Sequence, residues 1–332
     1  MPTRARGVFA MSDYARRTAF PDAVLQRLAT VAEIDPAVPI TDFRLAGEHL
    51  ATADFLITGW GSPLVDVNVL DAAPNLRLVA HAAGSVKHHL TADVWQRGIT
   101  VSSAADANAE PVAEYTRAMI MLACKRALPQ ANAYRTAGWP LDDQRVDAGY
   151  VDRTIGVVGA SRIGRRVIEL LRPWNVRVLV SDPYCSPDQV RALGAQQANL
   201  DRLCAESDVV TVHAPELPET RHLIDDRLLS LMRDSSVLIN TARGSLVDTE
   251  ALLAHCETGR ISAILDVTDP EPLPPGHRLF ELPNVTITPH LAGAQGTEIA
   301  LLGHYAVDEV IRFVAQEPLH GTVAFEDLAR GA

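Results

Sequence analysis

The chain has 332 residues, 47% of them apolar and 21% charged, with a net charge of −11. That length exceeds one ordinary domain, so two domains are expected. The acidic surplus argues against a nucleic-acid backbone or an anionic membrane surface as partner, since both call for clustered cations, and no run of about 18 apolar residues offers a transmembrane helix.

Taken in order, the N-terminal "MPTRARGVFAMSDYARR" carries arginines but no apolar stretch of secretory-signal length. "FPDAVLQRLATVA" and "SPLVDVNVLDAA" read as helices with proline near the first turn. "ADFLITG" (Ala53–Gly59), "LRLVAHAAG" (Leu76–Gly84) and "GITVSSA" (Gly98–Ala104) read as strands of a smaller α/β domain. A long helical pattern, "PVAEYTRAMIMLACKRA" (Pro111–Ala127), leads out of it. From Thr154 the alternation is regular. Strands are expected at "TIGVVG" (Thr154–Gly159), "VRVLVSD" (Val176–Asp182), "DVVTVH" (Asp208–His213), "SVLINT" (Ser236–Thr241), "SAILDV" (Ser262–Val267) and "VTITPH" (Val285–His290). Between them "RIGRRVIELLRPW", "SPDQVRALGA" and "DTEALLAHCETG" carry the 3.6-residue apolar period of helices. Asp248 or Thr249 is the expected N-cap of the last, and Gly259 its stop. Such alternation implies parallel sheets covered by helices on both faces. "GTEIALLGHYAVDEVIRFVAQ" (Gly296–Gln316) is a final helix with no strand after it, expected to cross back to the first domain. The domain boundaries that follow are 1–116, 117–296 and 297–332, the last piece returning to the first.

Cys124, Cys185, Cys204 and Cys256 show neither metal-ligand nor redox-pair spacing, so reduced thiols, no metal and a cytoplasmic location are expected. The turn after the Thr154 strand reads Gly159-Ala160-Ser161-Arg162-Ile163-Gly164. It matches the dinucleotide fingerprint G-x-G-x-x-G except at its second glycine. The first glycine permits a sharp turn and the third a close helix–strand approach. Ser161 narrows the space for pyrophosphate, yet its hydroxyl can donate to a phosphate while the helix start supplies amides. Asp182 ends the next strand, about 20 residues on, where a carboxylate accepts from both ribose hydroxyls of NAD and repels the extra phosphate of NADP. By itself each feature has a plainer reading, a glycine turn or a cap before Pro183. Together they point to NAD.

Six motifs in sequence, "GVVGASRIGR", "SDPY", "HAPELPETRHLI", "LINTARGSLVD", "LDVTDPEPLP" and "NVTITPHLAG", make the chain resemble the D-isomer-specific 2-hydroxyacid dehydrogenases from about Ala53 to Phe313. That family includes phosphoglycerate, D-lactate and glyoxylate/hydroxypyruvate reductase types. The resemblance implies two Rossmann- or flavodoxin-like domains, the NAD domain inserted into the substrate domain, with the active site in the cleft. It implies catalytic roles for Arg243, Glu271 and His290, with Asp269 as a nearby carboxylate two residues before Glu271. It adds His213, Ala214, Pro215, Thr241, Ala242, Asp266 and His290 to the cofactor contacts. The substrate carboxylate is expected on backbone amides of Ala83, Gly84 and Ser85, beside Asn108 and Arg243. The family also implies a homodimer, with "AGWPLDDQ" (137–144) as a candidate contributor.

These residue types suit the reaction. Reducing a 2-oxo acid needs a hydride, a proton for the developing alkoxide and an anchor for the carboxylate. Histidine titrates near neutrality, and an adjacent glutamate favours its charged form and fixes its orientation. Arginine binds a carboxylate in a fork and polarises a ketone. A parallel sheet's carboxyl edge is where ligands sit, which accounts for an arginine there. Each has a plainer alternative: a capping arginine, a satisfied histidine, a solvated glutamate, a strand-end Asp266 and a packing His213. Where phosphoglycerate-type enzymes carry an arginine, this chain has Gly59, Trp60 and Gly61, which disfavours a phosphorylated substrate. Ser85, Val86 and Lys87 also depart from the family's usual text, and Lys87 is read as a surface lysine. Two other functions stay open: formate or phosphite oxidation on the same fold, which Pro289 before His290 disfavours, and an NAD(H)-sensing corepressor without catalysis.

Overall fold

The computed structural model describes residues 4–37, 39–137 and 148–330. Most of the 137–144 stretch therefore lies outside the described residues. The chain divides into two compact units, Met1–Asn108 with Ala294–Ala332, and Ala109–Gly293.

The first unit holds β1 (Ala5–Ala10), β2 (Ala32–Glu33), β3 (Phe55–Thr58), β4 (Leu78–His81) and β5 (Thr100–Ser103). Their order is β2-β1-β3-β4-β5, and every pair is parallel. β1 is a strand that the sequence reading did not anticipate. Its "ARGVFA" opens with an arginine-bearing, partly exposed half and buries only Val8, Phe9 and Ala10. Pairing with β2 and β3 on either side decides its conformation. By contrast "FLIT" of β3 is buried throughout, as a central parallel strand should be. The helix Ile299–Ala315 packs on this unit. Its Ile299, Ala306, Val307 and Val310 join Phe9, Phe20, Leu28, Phe55 and Leu78 in one core. Buried Glu309 fastens the segment beyond it, accepting from Ser102 Oγ at 2.7 Å and from the amides of His320 and Gly321.

The second unit holds β6 (Arg153–Val158), β7 (Val176–Ser181), β8 (Gln196–Gln197), β9 (Val209–Val212), β10 (Val237–Asn240), β11 (Ser262–Leu265) and β12 (Val285–Ile287). They form a seven-stranded parallel sheet, β8-β7-β6-β9-β10-β11-β12. The order reverses between β6 and β9, so the sheet has its switch point there. The runs "VVTV" of β9 and "VLIN" of β10 are wholly buried, with an apolar core on each face of the sheet. The helix Ala105–Cys124 begins earlier than the sequence pattern suggested, and the change of unit falls within it, after Asn108. Its Ala113, Ile120, Ala123 and Cys124 belong to the second unit's core. Asp248 caps the helix Thr249–Glu257 through the amides of Glu250 and Ala251. The four cysteines are free and buried, and no described helix is long and apolar enough to cross a membrane.

Candidate active site

In the second unit, the sequence-assigned residues converge on one edge of the sheet. Each follows the carboxyl end of a strand: Gly159–Gly164 after β6, Asp182 after β7, His213–Pro215 after β9, Thr241–Arg243 after β10, Asp266 and Glu271 after β11, and His290 after β12.

The turn after β6 is a cradle that side chains would fill. Gly159 has φ +93, and a Cβ there would lie 2.7 Å from the Ala214 nitrogen. A Cβ on Gly164 would lie 2.1 Å from the Gly159 carbonyl oxygen. The helix Arg162–Leu171 therefore starts hard against the switch point. Ser161 is its N-cap, with Oγ accepting from the Gly164 amide at 3.4 Å. A capping hydroxyl accepts, so its own proton stays available to a phosphate oxygen. The Asp182 carboxylate accepts from the Ala160 amide at 2.7 Å and the Tyr184 amide at 2.7 Å. It is thereby fixed beside the glycine turn with lone pairs to spare. His213 is buried, its Nε2 lies 3.0 Å from Thr211 Oγ1, and its Nδ1 has no partner among the described residues. Burial pushes its pKa down to about 3, so it is a neutral ring in the wall of this cradle. The glycine turn, the capped helix start, the anchored carboxylate and the unmet His213 nitrogen fit a dinucleotide.

At the β12 end of the same sheet, with β10 and β11 lying between β9 and β12, His290 meets Glu271. His290 Nδ1 lies 2.6 Å from Glu271 Oε1, with both side chains about half exposed. His290 has φ +51, a left-handed backbone uncommon outside glycine. Asp266 holds it there. This buried carboxylate accepts from Thr288 Oγ1 at 2.6 Å and from the amides of Leu291 and Ala292, each at 2.9 Å. The Asp266 carbonyl accepts from the His290 amide at 2.9 Å. The structure thus gives Asp266 the work of a loop anchor. Tyr115 braces the same loop, its hydroxyl 2.8 Å from Thr288 Oγ1. Asp269, the competing carboxylate, pairs instead with Arg221 at 3.1 Å.

Arg243 lies beyond β10, and its loop is shaped by Asn240. The Asn240 amide donates to the Arg243 carbonyl at 2.7 Å, while its oxygen accepts from the Ala242 amide at 3.0 Å. Thr241 Oγ1 lies 2.9 Å from Thr116 Oγ1. The guanidinium is half exposed, donates to the Ala242 carbonyl at 2.6 Å, and has the Glu216 carboxylate 4.0 Å away. Arg243 and His290 share no hydrogen bond or ion pair. β11 separates β10 from β12, which sets their strand ends on the order of 10 Å apart. Three residues here escaped the sequence reading: Asn240, Glu216 and Gly244. A Cβ on Gly244 would lie 2.0 Å from the Thr268 carbonyl, so the loop bearing Arg243 presses directly on the loop leading to Glu271. Gly244→Ala is expected to cost about 1–3 kcal/mol or more, because the opposing atoms are backbone. A thermal melt checks this, and an unchanged midpoint would contradict the packing.

The first unit holds the remaining candidates. Ala83 is buried, and Gly84 and Ser85 are partly so, in the loop after β4. Asn108 borders Gly84, and its Oδ1 accepts from the Ala294 amide at 3.0 Å. Trp60 follows β3 and is 36% exposed.

Residues 118–292 match the family model for the NAD-binding domain of D-isomer-specific 2-hydroxyacid dehydrogenases. A glyoxylate reductase of Korarchaeum cryptofilum is 32% identical over 270 residues, covering 80% of this chain and 81% of that protein. A glyoxylate reductase of Thermofilum pendens is 35% identical over 235 residues, covering 69% of each. The crystal structure of the TT0316 protein from Thermus thermophilus aligns with a TM-score of 0.76 at 30% identity, over 96% of this chain and 100% of that one.

Proposed function

The chain belongs to the D-isomer-specific 2-hydroxyacid dehydrogenase family, and from that membership we propose how its residues interconvert a 2-oxo acid and a D-2-hydroxy acid. NAD, held by Gly159, Ser161, Arg162, Ile163, Gly164, Asp182, His213, Ala214 and Pro215 and flanked by Thr241, Ala242 and Asp266, supplies or accepts the hydride when bound. Arg243 binds the substrate anion and draws electron density toward the carbonyl oxygen. His290 gives that oxygen its proton in reduction and takes it back in oxidation. Glu271 accepts from Nδ1, leaving Nε2 as the working nitrogen. The amides of Ala83, Gly84 and Ser85 are carboxylate donors in the first unit, with Asn108 beside them. The observation that carries this reading is the 2.6 Å bond between His290 and Glu271 at the ligand-binding edge of the sheet.

The substrate is a small, unphosphorylated 2-oxo acid. The glyoxylate reductases among its relatives and the Gly59-Trp60-Gly61 loop both support that choice. A panel of 2-oxo acids headed by glyoxylate, read as loss of NADH fluorescence, tests it. Turnover is expected, with a phosphorylated 2-oxo acid poor. Tight NADH binding without turnover across the panel would leave a sensor of the NAD pool instead. The protein acts as a homodimer in the cytoplasm. The buried free thiols support a reducing compartment, and equilibrium sedimentation tests the dimer.

Cofactor choice makes a separate prediction. The kcat/KM for NADH should exceed that for NADPH by at least about tenfold, one step of 1.4 kcal/mol. Asp182→Ser should narrow the ratio by removing the charge that faces a 2′-phosphate. A ratio unmoved by the substitution would take Asp182 out of cofactor selection.

A further inference from the structure

β3 and β4 are neighbours, and Thr58 pairs with His81 at their ends. The loops leaving them, one with Trp60 and the other with Ala83–Ser85, start side by side. Thr58 and His81 are fully buried. Thr58 Oγ1 lies 2.9 Å from His81 Nδ1. The His89 ring lies against His81, with centroids 5.0 Å apart, and His89 Nδ1 is 3.3 Å from the Ser62 carbonyl. Among the described residues, the buried His81 Nε2 has no hydrogen-bond partner. Burial first, and the neighbouring His89 second, push the His81 pKa down to about 3, so the ring is neutral.

A neutral imidazole offers one donor and one acceptor. An apolar side chain would fill the same space without leaving a nitrogen unmet. What the imidazole supplies is a hydrogen bond to the end of β3 and a ring contact with His89, which together bracket the loop of Ala83, Gly84 and Ser85 between two fixed points. We propose that His81, backed by Thr58 and His89, is a positioning residue that fixes the loop of Ala83, Gly84 and Ser85 for binding the substrate carboxylate. The proposal rests on the reading of those amides as carboxylate donors. It assigns a use to a buried histidine that takes no part in proton transfer and lies in the first unit, whereas His290 lies in the second.

The test compares His81→Leu, His81→Gln and Thr58→Val in the full-length protein. His81→Leu should raise KM for the 2-oxo acid about tenfold, with kcat within about threefold, the signature of lost uniform binding. Its Kd for NADH, read by fluorescence, should stay parental. His81→Gln keeps an acceptor for Thr58, so it should recover most of the parental KM. Thr58→Val breaks the same link from the other end and should raise KM even if His81→Leu does not fold. A parental KM in His81→Leu or Thr58→Val overturns the proposal. So does a fall in kcat and NADH affinity that His81→Gln fails to repair. Ser85→Pro, which removes one of the amides, separates the underlying reading. Raised KM in Ser85→Pro with parental KM in the other variants removes only the role of His81. Parental KM in Ser85→Pro removes the loop from substrate binding, and the proposal with it.

Discussion

His290→Gln is expected to lower kcat for 2-oxo acid reduction by about two to four powers of ten, the usual worth of a positioned general acid. Its Kd for NADH should stay within about twofold of parental, since the cofactor cradle is built around β6, β7 and β9 and His290 follows β12. Glutamine keeps much of the side chain's reach and can still donate to Glu271, so the substitution removes proton transfer more than packing. The loop should survive, because Asp266 holds it through the hydroxyl of Thr288 and the amides of Leu291 and Ala292. Steady-state kinetics with a fluorescence titration of NADH separates the two quantities. Losses of similar size in kcat and NADH affinity would make His290 a structural histidine.

Arg243→Lys should be nearly as damaging, with kcat/KM down by about two to three powers of ten. Charge is conserved, so the loss measures the planar fork that a lysine lacks. Both KM and kcat should change, because in the proposed mechanism the guanidinium holds the carboxylate throughout and meets more negative charge as the carbonyl oxygen develops it. The backbone frame of this loop belongs to Asn240, which the substitution leaves in place. An Arg243→Lys protein with parental kcat/KM would reduce Arg243 to a partner for Glu216.

Much of this was legible before any coordinates, and the reasons are physical. A central parallel strand buries both faces, so "FLIT", "VVTV" and "VLIN" announce themselves as short apolar runs. β1 does not, because its first half is exposed and only pairing on both sides settles it. Arg243 and His290 stand out because each follows a strand end, and Glu271 through the family motif in its Pro-rich loop; the geometry adds that Glu271 meets His290 while Asp269 meets Arg221. Scaffolding is harder to read than chemistry. Asp266 serves amides 25 and 26 residues away, and the His81–Thr58 link spans 23 residues. Separations of that size leave no local pattern. Ser161 shows the opposite case. A residue that breaks the glycine fingerprint on paper is a good helix cap in place, and a cap at a phosphate-binding turn costs the site little.

The most direct measurement follows the hydrogen itself. The protein is given NADH deuterated at the transferable C4 position together with the 2-oxo acid it reduces fastest, and the product is analysed by mass spectrometry and on a chiral column. The expected product is a D-2-hydroxy acid with one deuterium at C2, formed by His290→Gln at no more than about a hundredth of the parental rate. Hydrogen from solvent at C2, or an undiminished rate in His290→Gln, would contradict hydride transfer assisted by His290 and Arg243.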